Sequence, residues 1–433
     1  MLPLLKTRIP GPRSRALARQ LRRHECRNTT FVSADWPIFW ERTRGCNVWD
    51  ADGNRYLDLT AAFGVASVGH SNPRVTAAAR RQLGRLIHAM GDVHPNELKG
   101  RLANELSALT FGRWLGQSKI QNPKSKILFA NSGSEAVEAA LKTAMLATGK
   151  PGVIAFAGAY HGLTYGALDA TAWNFFRAPF HSQLPGFTVH VPYPQSRTGI
   201  LPVPSSLTDR RDACPTLESA IRDAFAENNI GAVIVEPVLG RGGVVVPPPG
   251  FLPMLRRVCD EHRALLIADE IFTGFCRTGR WFAVEHWSVV PDLICVGKAM
   301  SNGFPIAACV GRADVMDAWP ESGGEALHTS THLGNPLGCA MALAAIGEMK
   351  RLRLDERARR LQDRLPGRGL GFMKGVELPD AAACQRVVQR LLRRGILALG
   401  GGERGNVLTL TPPLTITEKE LDFAAQEIAK LTE

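Results

Sequence analysis

Two apolar runs in the second half of the chain each end in a side chain that could do chemistry. The run 264–268 is followed by Asp269. The run 293–296 is followed by a glycine and then by Lys298. Neighbouring parallel strands end side by side, so we expect the carboxylate and the amine to converge on one cleft. A lysine can bind an aldehyde covalently, and an acid can keep a pyridine nitrogen protonated, so the pair suits pyridoxal 5'-phosphate chemistry.

The segment 131–136, between a predicted strand and a predicted helix, has the composition of a phosphate-binding loop. Gly133 would let the backbone approach a ligand. The N–H groups at the start of the helix, including that of Ser134, would attract a phosphate. A plain helix cap, with Ser132 as the cap and Glu135 completing a capping box, explains the same residues equally well.

Three further segments place aromatic or polar side chains at the ends of predicted elements. Tyr160 and His161 lie among small residues at 158–162, where the tyrosine could stack on a flat heterocycle or belong to the core. Glu236 ends an apolar run and could serve a site or merely cap a turn. Segment 329–336 is rich in hydroxyl groups, which could bind a phosphate or only cap the helix that follows.

The order of apolar runs indicates an α/β fold with a mainly parallel central sheet and flanking helices. The predicted strands of this sheet are 126–130, 152–157, 189–191, 232–235, 265–268, 293–296 and 306–310. Helices are predicted at 14–24, 134–147 and 337–351, and the Asp-Gly-Asn sequence within 48–59 predicts a hairpin.

We expect three regions along the chain. An amino-terminal segment, 1–70, would contribute to a smaller lobe, and 71–335 would form the large α/β domain that binds the cofactor. A linking helix would open the third region, 336–433, a small α+β domain with strands at 373–378, 396–400 and 407–411. The stretch 198–214 has the composition of an irregular connection.

The composition limits the possible partners. The 433-residue chain has a formal net charge of +12, but its arginine-rich stretches, 13–23 and 351–368, contain no aromatic residues or zinc pattern. We therefore expect no nucleic acid and no metal ion. No apolar run is long enough to cross a membrane. The nine cysteines form no framework, which favours a reducing, cytoplasmic compartment. We interpret the Arg-rich start as a helix and not as a transit peptide.

The order and spacing of these segments resemble the class III pyridoxal-phosphate-dependent aminotransferases. The resemblance covers about residues 30–430 and includes WDADGNRYLDL, GVASVGHSNPRV, NSGSEAVEAALK, AYHG, VEP, ADEI-x-TGF-x-RTG, DLI-x-x-GKA, STHLGNPLG and TPPLTIT. It implies fold type I, in which a large cofactor-binding α/β domain is joined to a smaller α+β lobe.

The resemblance also implies how the ring of pyridoxal 5'-phosphate is bound. Lys298 would bind the cofactor aldehyde and later move a proton between the substrate and the cofactor. Asp269 would pair with the pyridinium nitrogen. Ile271 would pack on one face of the ring and Tyr160 would stack on the other.

The resemblance also implies which residues bind the phosphate and which lie near Asp269. Gly133 and Ser134 would bind the phosphate group. Thr331 would reach the phosphate bound by a neighbouring subunit, so the active sites of a homodimer would be shared. Glu236 and His161 would lie close to the aspartate that pairs with the pyridinium.

Four positions depart from the ornithine, acetylornithine and 4-aminobutyrate enzymes of the family. Leu163 stands where those enzymes usually have a carboxylate-binding arginine. Leu239 and Arg241 replace a glutamine and a glutamate in the loop after Glu-Pro. Thr409 replaces the arginine that pairs with that glutamate. Both members of a usual ion pair have therefore changed.

These departures suggest how a substrate could be recognised. Arg241, without its usual glutamate partner, could bind a substrate carboxylate with two hydrogen bonds, or it could simply point to solvent. Ser330 is a second candidate for substrate contact. Phe272, where some relatives have a glutamine near the cofactor phenol oxygen, would make that wall more apolar.

The leading interpretation is an aminotransferase that moves an amino group from an amine or an ω- or β-amino acid to pyruvate or 2-oxoglutarate. An aminomutase of the glutamate-semialdehyde type, or a racemase, would use the same Lys298 and Asp269. A basic binding protein without catalytic activity is a third alternative.

Overall fold

The computed structural model describes residues 1–115, 124–194 and 215–432. The irregular connection predicted at 198–214 lies outside these ranges. Among the described helices, none combines the length and the apolar character needed to cross a membrane.

The amino-terminal region contains one helix, a small antiparallel sheet and then three further helical segments. In chain order its elements are α1 (Pro12–His24), β1 (Trp40–Arg44), β2 (Asn47–Asp50), β3 (Arg55–Asp58), α2 (Ala61–Gly64), α3 (Pro73–Leu83) and α4 (Glu97–Ser107). Strands β2 and β3 pair in antiparallel fashion, which confirms the predicted hairpin. Segment α2 is a single turn in which all four residues have positive φ.

A seven-stranded sheet forms the centre of the protein. Its strands are β4 (Ser125–Ala130), β5 (Gly152–Phe156), β6 (Thr188–Val191), β7 (Ile230–Val235), β8 (Leu265–Asp269), β9 (Leu293–Val296) and β10 (Ala307–Arg312). The spatial order is β4, β10, β9, β8, β7, β5, β6. Strand β10 runs antiparallel to both of its neighbours, and the pairs from β9 to β6 are all parallel. The predicted mainly parallel sheet is confirmed.

Helices cover both faces of this sheet. They are α5 (Gly133–Thr148), α6 (Tyr165–Ala170), α7 (Asn174–Arg177), α8 (Pro215–Glu227), α9 (Phe251–His262) and α10 (Ala313–Met316). Successive residues of β7 alternate between two apolar clusters: Ile234 packs in the cluster of α5, and Val235 in the cluster of α9. This alternation is the period of two expected for a strand buried on both faces.

The carboxyl-terminal part has its own sheet. Its elements are α11 (Pro336–Leu352), α12 (Leu354–Leu361), β11 (Arg368–Leu370), β12 (Met373–Glu377), α13 (Ala381–Arg393), β13 (Ile396–Leu397), β14 (Leu399–Gly401), β15 (Val407–Leu410) and α14 (Glu418–Thr432). The single strand predicted at 396–400 is in fact two. Strand β13 pairs with β3 of the amino-terminal sheet, and β14 pairs with β15.

Arg277 ties these parts together behind β8. Its side chain is only 1% exposed. One guanidinium nitrogen donates to the carbonyl oxygens of Phe372 and Pro412, and another donates to Ser67 Oγ. A buried guanidinium is tolerated when its N–H groups have acceptors in this way. The bonds join the end of the central sheet to the carboxyl-terminal lobe.

Candidate active site

The acid and the amine predicted to converge lie at the ends of adjacent strands. Asp269 is the last residue of β8, opposite Cys295 of the parallel strand β9. Lys298 follows β9 after one glycine and begins the short helical turn Lys298–Met300. Its φ of +38° is uncommon for a residue with a side chain, and such strain is typical of functional positions.

A buried hydrogen bond fixes the carboxylate. Asp269 Oδ2 lies 2.7 Å from His161 Nδ1, and Asp269 Oδ1 accepts the N–H of Ile271 at 3.1 Å. The backbone N–H of His161 donates to Thr171 Oγ1 at 2.9 Å. His161 Nε2 is buried and has no partner among the described residues. Asp269 therefore has a defined orientation at the bottom of the site.

Glu236 is a second buried acid beside this pair. Its Oε1 accepts the N–H of Tyr160 at 2.8 Å, and its Oε2 accepts the N–H of Gly240 at 3.0 Å. Burial raises the pKa of Glu236 to about 7. The charge of Asp269 adds to this shift, while His161 and the two backbone hydrogen bonds oppose it. Glu236 thus joins the loop of Tyr160 to the loop that carries Arg241.

Lys298 is partly buried, and several charges act on its amine. Burial lowers the pKa of Lys298 because it disfavours the ammonium form. The carboxylates of Asp269 and Glu236 oppose this shift, and the positive charge of Arg241 adds to it. A lowered pKa increases the share of the neutral amine, which is the form that attacks a carbonyl carbon.

The ring of Phe272 covers this amine. Lys298 Nζ lies 4.7 Å from the ring centroid. Two glycines leave room for the ring, since a Cβ at Gly64 would lie 2.6 Å from Phe272 and a Cβ at Gly240 would also clash with it. The sequence indicated an apolar wall at Phe272, but it gave no sign that these glycines clamp the ring.

The start of α5 and the Tyr160 loop meet where a phosphate was predicted. The Ser134 hydroxyl accepts the N–H groups of Leu163 and Thr164 at 3.2 and 3.0 Å. Ile271 packs against Gly133 so closely that a Cβ there would lie 2.9 Å from its Cδ1. The structure therefore brings Ser134, Gly133 and Ile271 together with the Tyr160 loop.

The capping alternative at this helix is also realised. Ser132 Oγ accepts the N–H of Glu135 at 3.2 Å, and Glu135 Oε2 accepts the N–H of Asn131 at 3.0 Å. These bonds involve the N–H of Glu135, the third residue of the helix, and the N–H of Asn131, which precedes the helix. The N–H groups of Gly133 and Ser134 have no intrahelical acceptor, so they are free for an anion.

Arg241 lies against three aromatic rings. Its guanidinium carbon is 5.1 Å from the ring centroid of Tyr160, 5.7 Å from that of Trp173 and 4.9 Å from that of Phe176. Trp173 is oriented by its indole N–H, which donates to the Gly158 carbonyl at 3.0 Å. We call these three rings the Arg241 cage. Sequence reasoning singled out Arg241 and Tyr160 but missed Trp173 and Phe176.

The other predicted substrate and phosphate residues lie in the turn before α11. Ser330 Oγ accepts the side-chain N–H of Asn131 at 2.9 Å, which places it beside the start of α5. Thr331 is exposed. The helix itself is capped by Asn335, whose Oδ1 accepts the N–H of Leu337 at 2.9 Å. The turn therefore caps a helix and also presents a hydroxyl group next to the start of α5.

Two of the three remaining departures, Leu163 and Thr409, also border the site. Leu163 is 49% exposed and follows the Tyr160 loop. The Thr409 hydroxyl donates to the Leu399 carbonyl at 3.0 Å. Both Thr409 and the Arg241 carbonyl lie close to Gly401. The side chains at 163 and 409 contribute no charge.

These residues fit pyridoxal phosphate. A fixed carboxylate, a partly buried amine, free N–H groups at a helix start and a cradle between Gly133 and Ile271 match its nitrogen, aldehyde, phosphate and ring. The unpaired His161 Nε2 adds a polar atom on the same side. Within the described residues, no three His, Cys, Asp or Glu side chains are grouped as a metal site would require.

Comparisons with known proteins agree with this geometry. The model of the family described as aminotransferase class-III matches residues 31–431. The 4-aminobutyrate aminotransferase of Mycobacterium tuberculosis is 37% identical over 446 aligned positions, which cover 96% of this chain and 95% of that protein. The putrescine aminotransferase of Pectobacterium atrosepticum is 37% identical over 418 positions, covering 92% of this chain and 82% of that protein.

A solved structure shows the same fold. The ornithine aminotransferase of Toxoplasma gondii superposes with a TM-score of 0.81 at 31% identity, covering 99% of this chain and 95% of that one. The match extends over the central sheet, the site and the carboxyl-terminal lobe. This chain belongs to the class III aminotransferases, pyridoxal-phosphate-dependent enzymes of fold type I.

Proposed function

We propose that the enzyme takes its amino group from an amine or an ω- or β-amino acid and passes it to a 2-oxo acid by a ping-pong mechanism. The similar proteins named for 4-aminobutyrate and putrescine act on amines at a chain end. Leu163 and Thr409 leave two positions of the site without a cation, which suits donors that lack an α-carboxylate. The observation that carries the proposal is the convergence of Lys298 with the His161-bound Asp269.

The two half-reactions balance without an external oxidant. The donor carbon is oxidised from amine to carbonyl, and the acceptor carbon is reduced from carbonyl to amine. When bound, pyridoxal phosphate supplies an aldehyde that receives the amino group and a ring that withdraws electrons. This net transfer distinguishes the proposal from the aminomutase and racemase alternatives, which need no oxo-acid partner. The aminotransferases named above favour transfer.

Each predicted residue has a proposed task in this reaction. Lys298 would form the covalent link to the cofactor and then carry the proton at the substrate carbon. Asp269, oriented by His161, would keep the pyridine nitrogen protonated. Ile271 and Tyr160 would enclose the ring.

The phosphate would be bound by the start of α5. The free N–H groups of Gly133 and Ser134 would donate to it, and Ser330 would support that end through Asn131. Glu236 would position the loops on either side through Tyr160 and Gly240. Arg241 would bind the substrate carboxylate.

We also propose a homodimer with shared sites. Four large apolar side chains are 41–64% exposed in the segment beside the Thr331 turn: Leu86, Ile87, Met90 and Val93. We call them the 86–93 patch. Asn335 donates to the Ile87 carbonyl at 3.1 Å, and Thr329 donates to Asp92 at 2.8 Å, so patch and turn form one surface. Exposed apolar patches typically mark interfaces, and a second copy seated here would lie against Thr331.

We place the enzyme in the cytoplasm. The eight cysteines in the described ranges are all unpaired, and seven of them are buried. Unpaired buried thiols are typical of a reducing compartment.

Titration of the loaded enzyme with amines and amino acids, in the absence of any oxo acid, tests the proposed transfer. We expect the visible absorbance band of the bound cofactor to fall and the pyridoxamine band to grow with chain-end amines. Lys298→Ala, which lacks the proton carrier, should respond at least about a thousandfold more slowly. A band that stays constant with every donor would contradict amino transfer.

Charge in the 86–93 patch should disrupt the dimer. For the double variant Met90→Asp and Val93→Asp we expect a monomer by light scattering and at least a tenfold weaker retention of pyridoxal phosphate, roughly 1.4 kcal/mol. Met145→Asp alters another exposed apolar residue, on α5, and serves as the control. A double variant that remains dimeric, or a monomer that binds the cofactor normally, would argue against shared sites.

The raised pKa of Glu236 predicts a pH effect on stability. In the cofactor-free protein, the stabilisation from this group is full below pH 4.5 and is lost as the pH rises through about 7, because the unfolded chain ionises first. The loss approaches about 3 kcal/mol. Glu236→Gln mimics the protonated acid, so its free energy of unfolding should fall less over this range. Burial also raises the pKa of Glu270 to about 7. Glu270 is present in both proteins, so its contribution cancels when the two curves are compared. Parallel curves would refute the assignment.

A further inference from the structure

Arg241 is the one cation that acts on the reacting amine among the described residues. The charged groups that face Lys298 are Asp269, Glu236 and Arg241. Two of these are acids with other proposed tasks. Asp269 would pair with the ring nitrogen, and Glu236 would position the neighbouring loops. Among these three groups, only Arg241 can form an ion pair with a negatively charged substrate group.

The Arg241 cage keeps this cation available. No described carboxylate forms an ion pair with Arg241, and its side chain is exposed. The rings of Tyr160, Trp173 and Phe176 hold the guanidinium by cation–π contacts at 4.9–5.7 Å. Because no described carboxylate occupies the guanidinium, its N–H groups can bind one substrate carboxylate with two parallel hydrogen bonds.

Three neighbouring side chains, those of Phe272, Leu163 and Thr409, offer no cation to a second carboxylate. The ring of Phe272 lies over Lys298 Nζ. Leu163 is apolar, and the hydroxyl proton of Thr409 is already donated to the Leu399 carbonyl. A carboxylate moved from water against rings and an aliphatic side chain loses its hydration without gaining a partner, which is unfavourable.

We propose that the acceptor is a 2-oxo acid with a single carboxylate, bound by Arg241, and that dicarboxylic oxo acids are poor acceptors. This inference rests on the proposed function and narrows its acceptor class. The aromatic cage also gives the same site a way to admit a donor without any carboxylate, because the rings stabilise the guanidinium when no anion is bound.

Two acceptors with the same five-carbon chain isolate the effect of the second carboxylate. With one donor held at saturation, we expect kcat/KM for 2-oxopentanoate to exceed that for 2-oxoglutarate by at least about tenfold. Leu163→Arg adds a cation beside the Tyr160 loop and should raise the ratio of kcat/KM for 2-oxoglutarate to kcat/KM for 2-oxopentanoate about tenfold. Leu163→Met is the matched uncharged control. A wild-type enzyme that prefers 2-oxoglutarate would overturn the proposal.

Binding of unreactive analogues provides a readout independent of turnover. By calorimetry, pentanoate should bind the loaded enzyme about tenfold more tightly than glutarate. Arg241→Ala should weaken pentanoate binding by roughly 30- to 100-fold. Arg241→Lys keeps the charge but not the planar group, so its affinity for pentanoate should lie between those of the wild type and Arg241→Ala. Unchanged binding in Arg241→Ala would refute the role of Arg241.

The outcomes separate this inference from the function on which it rests. If donors convert the cofactor but glutarate binds better than pentanoate, amino transfer stands and the acceptor class is wrong. If no donor converts the cofactor while pentanoate still binds through Arg241, the proposed function fails and the carboxylate site remains.

Discussion

The bond between Asp269 and His161 is the interaction on which the site depends. A carboxylate at the end of a buried strand needs hydrogen-bond partners in the protein, because burial removes its water. His161 at 2.7 Å and the N–H of Ile271 give both oxygens a partner, so the carboxylate has one orientation toward the cleft. The backbone of His161 is itself held by Thr171. Lys298 lies at the end of the next strand, so the sheet register sets the separation of acid and amine.

Much of the surrounding structure contains local strain and close packing that stability alone would not favour. The α2 turn has four residues with positive φ, three of them with side chains, and it presents Gly64 to the ring of Phe272. Lys298 also has positive φ. Each such residue costs on the order of 1 kcal/mol or more. The extensive core on both faces of the sheet and the buried bonds of Arg277 offset these costs.

The sequence allowed the chemistry to be located because parallel strands end at one edge of a sheet. Asp269 and Lys298 follow from that rule, whereas Tyr160 and Glu236 each had a structural alternative and were assigned to the site through the resemblance to the family. It could not decide between phosphate binding and capping at Ser132, and the structure shows that the cap leaves the N–H groups of Gly133 and Ser134 free. Trp173 and Phe176 were missed because their contact with Arg241 depends on tertiary packing. The run 396–400 was wrongly taken as one strand, since its two halves pair with different sheets.

The central claim is that Lys298 is the residue that binds the cofactor. Reduction of the loaded enzyme with borohydride, followed by proteolysis and peptide mass spectrometry, tests it most directly. We expect the peptide that contains Lys298 to carry the pyridoxyl mass, and we expect the same attachment site in Asp269→Asn. A modified lysine elsewhere in the chain, or no covalent adduct at all, would contradict the account.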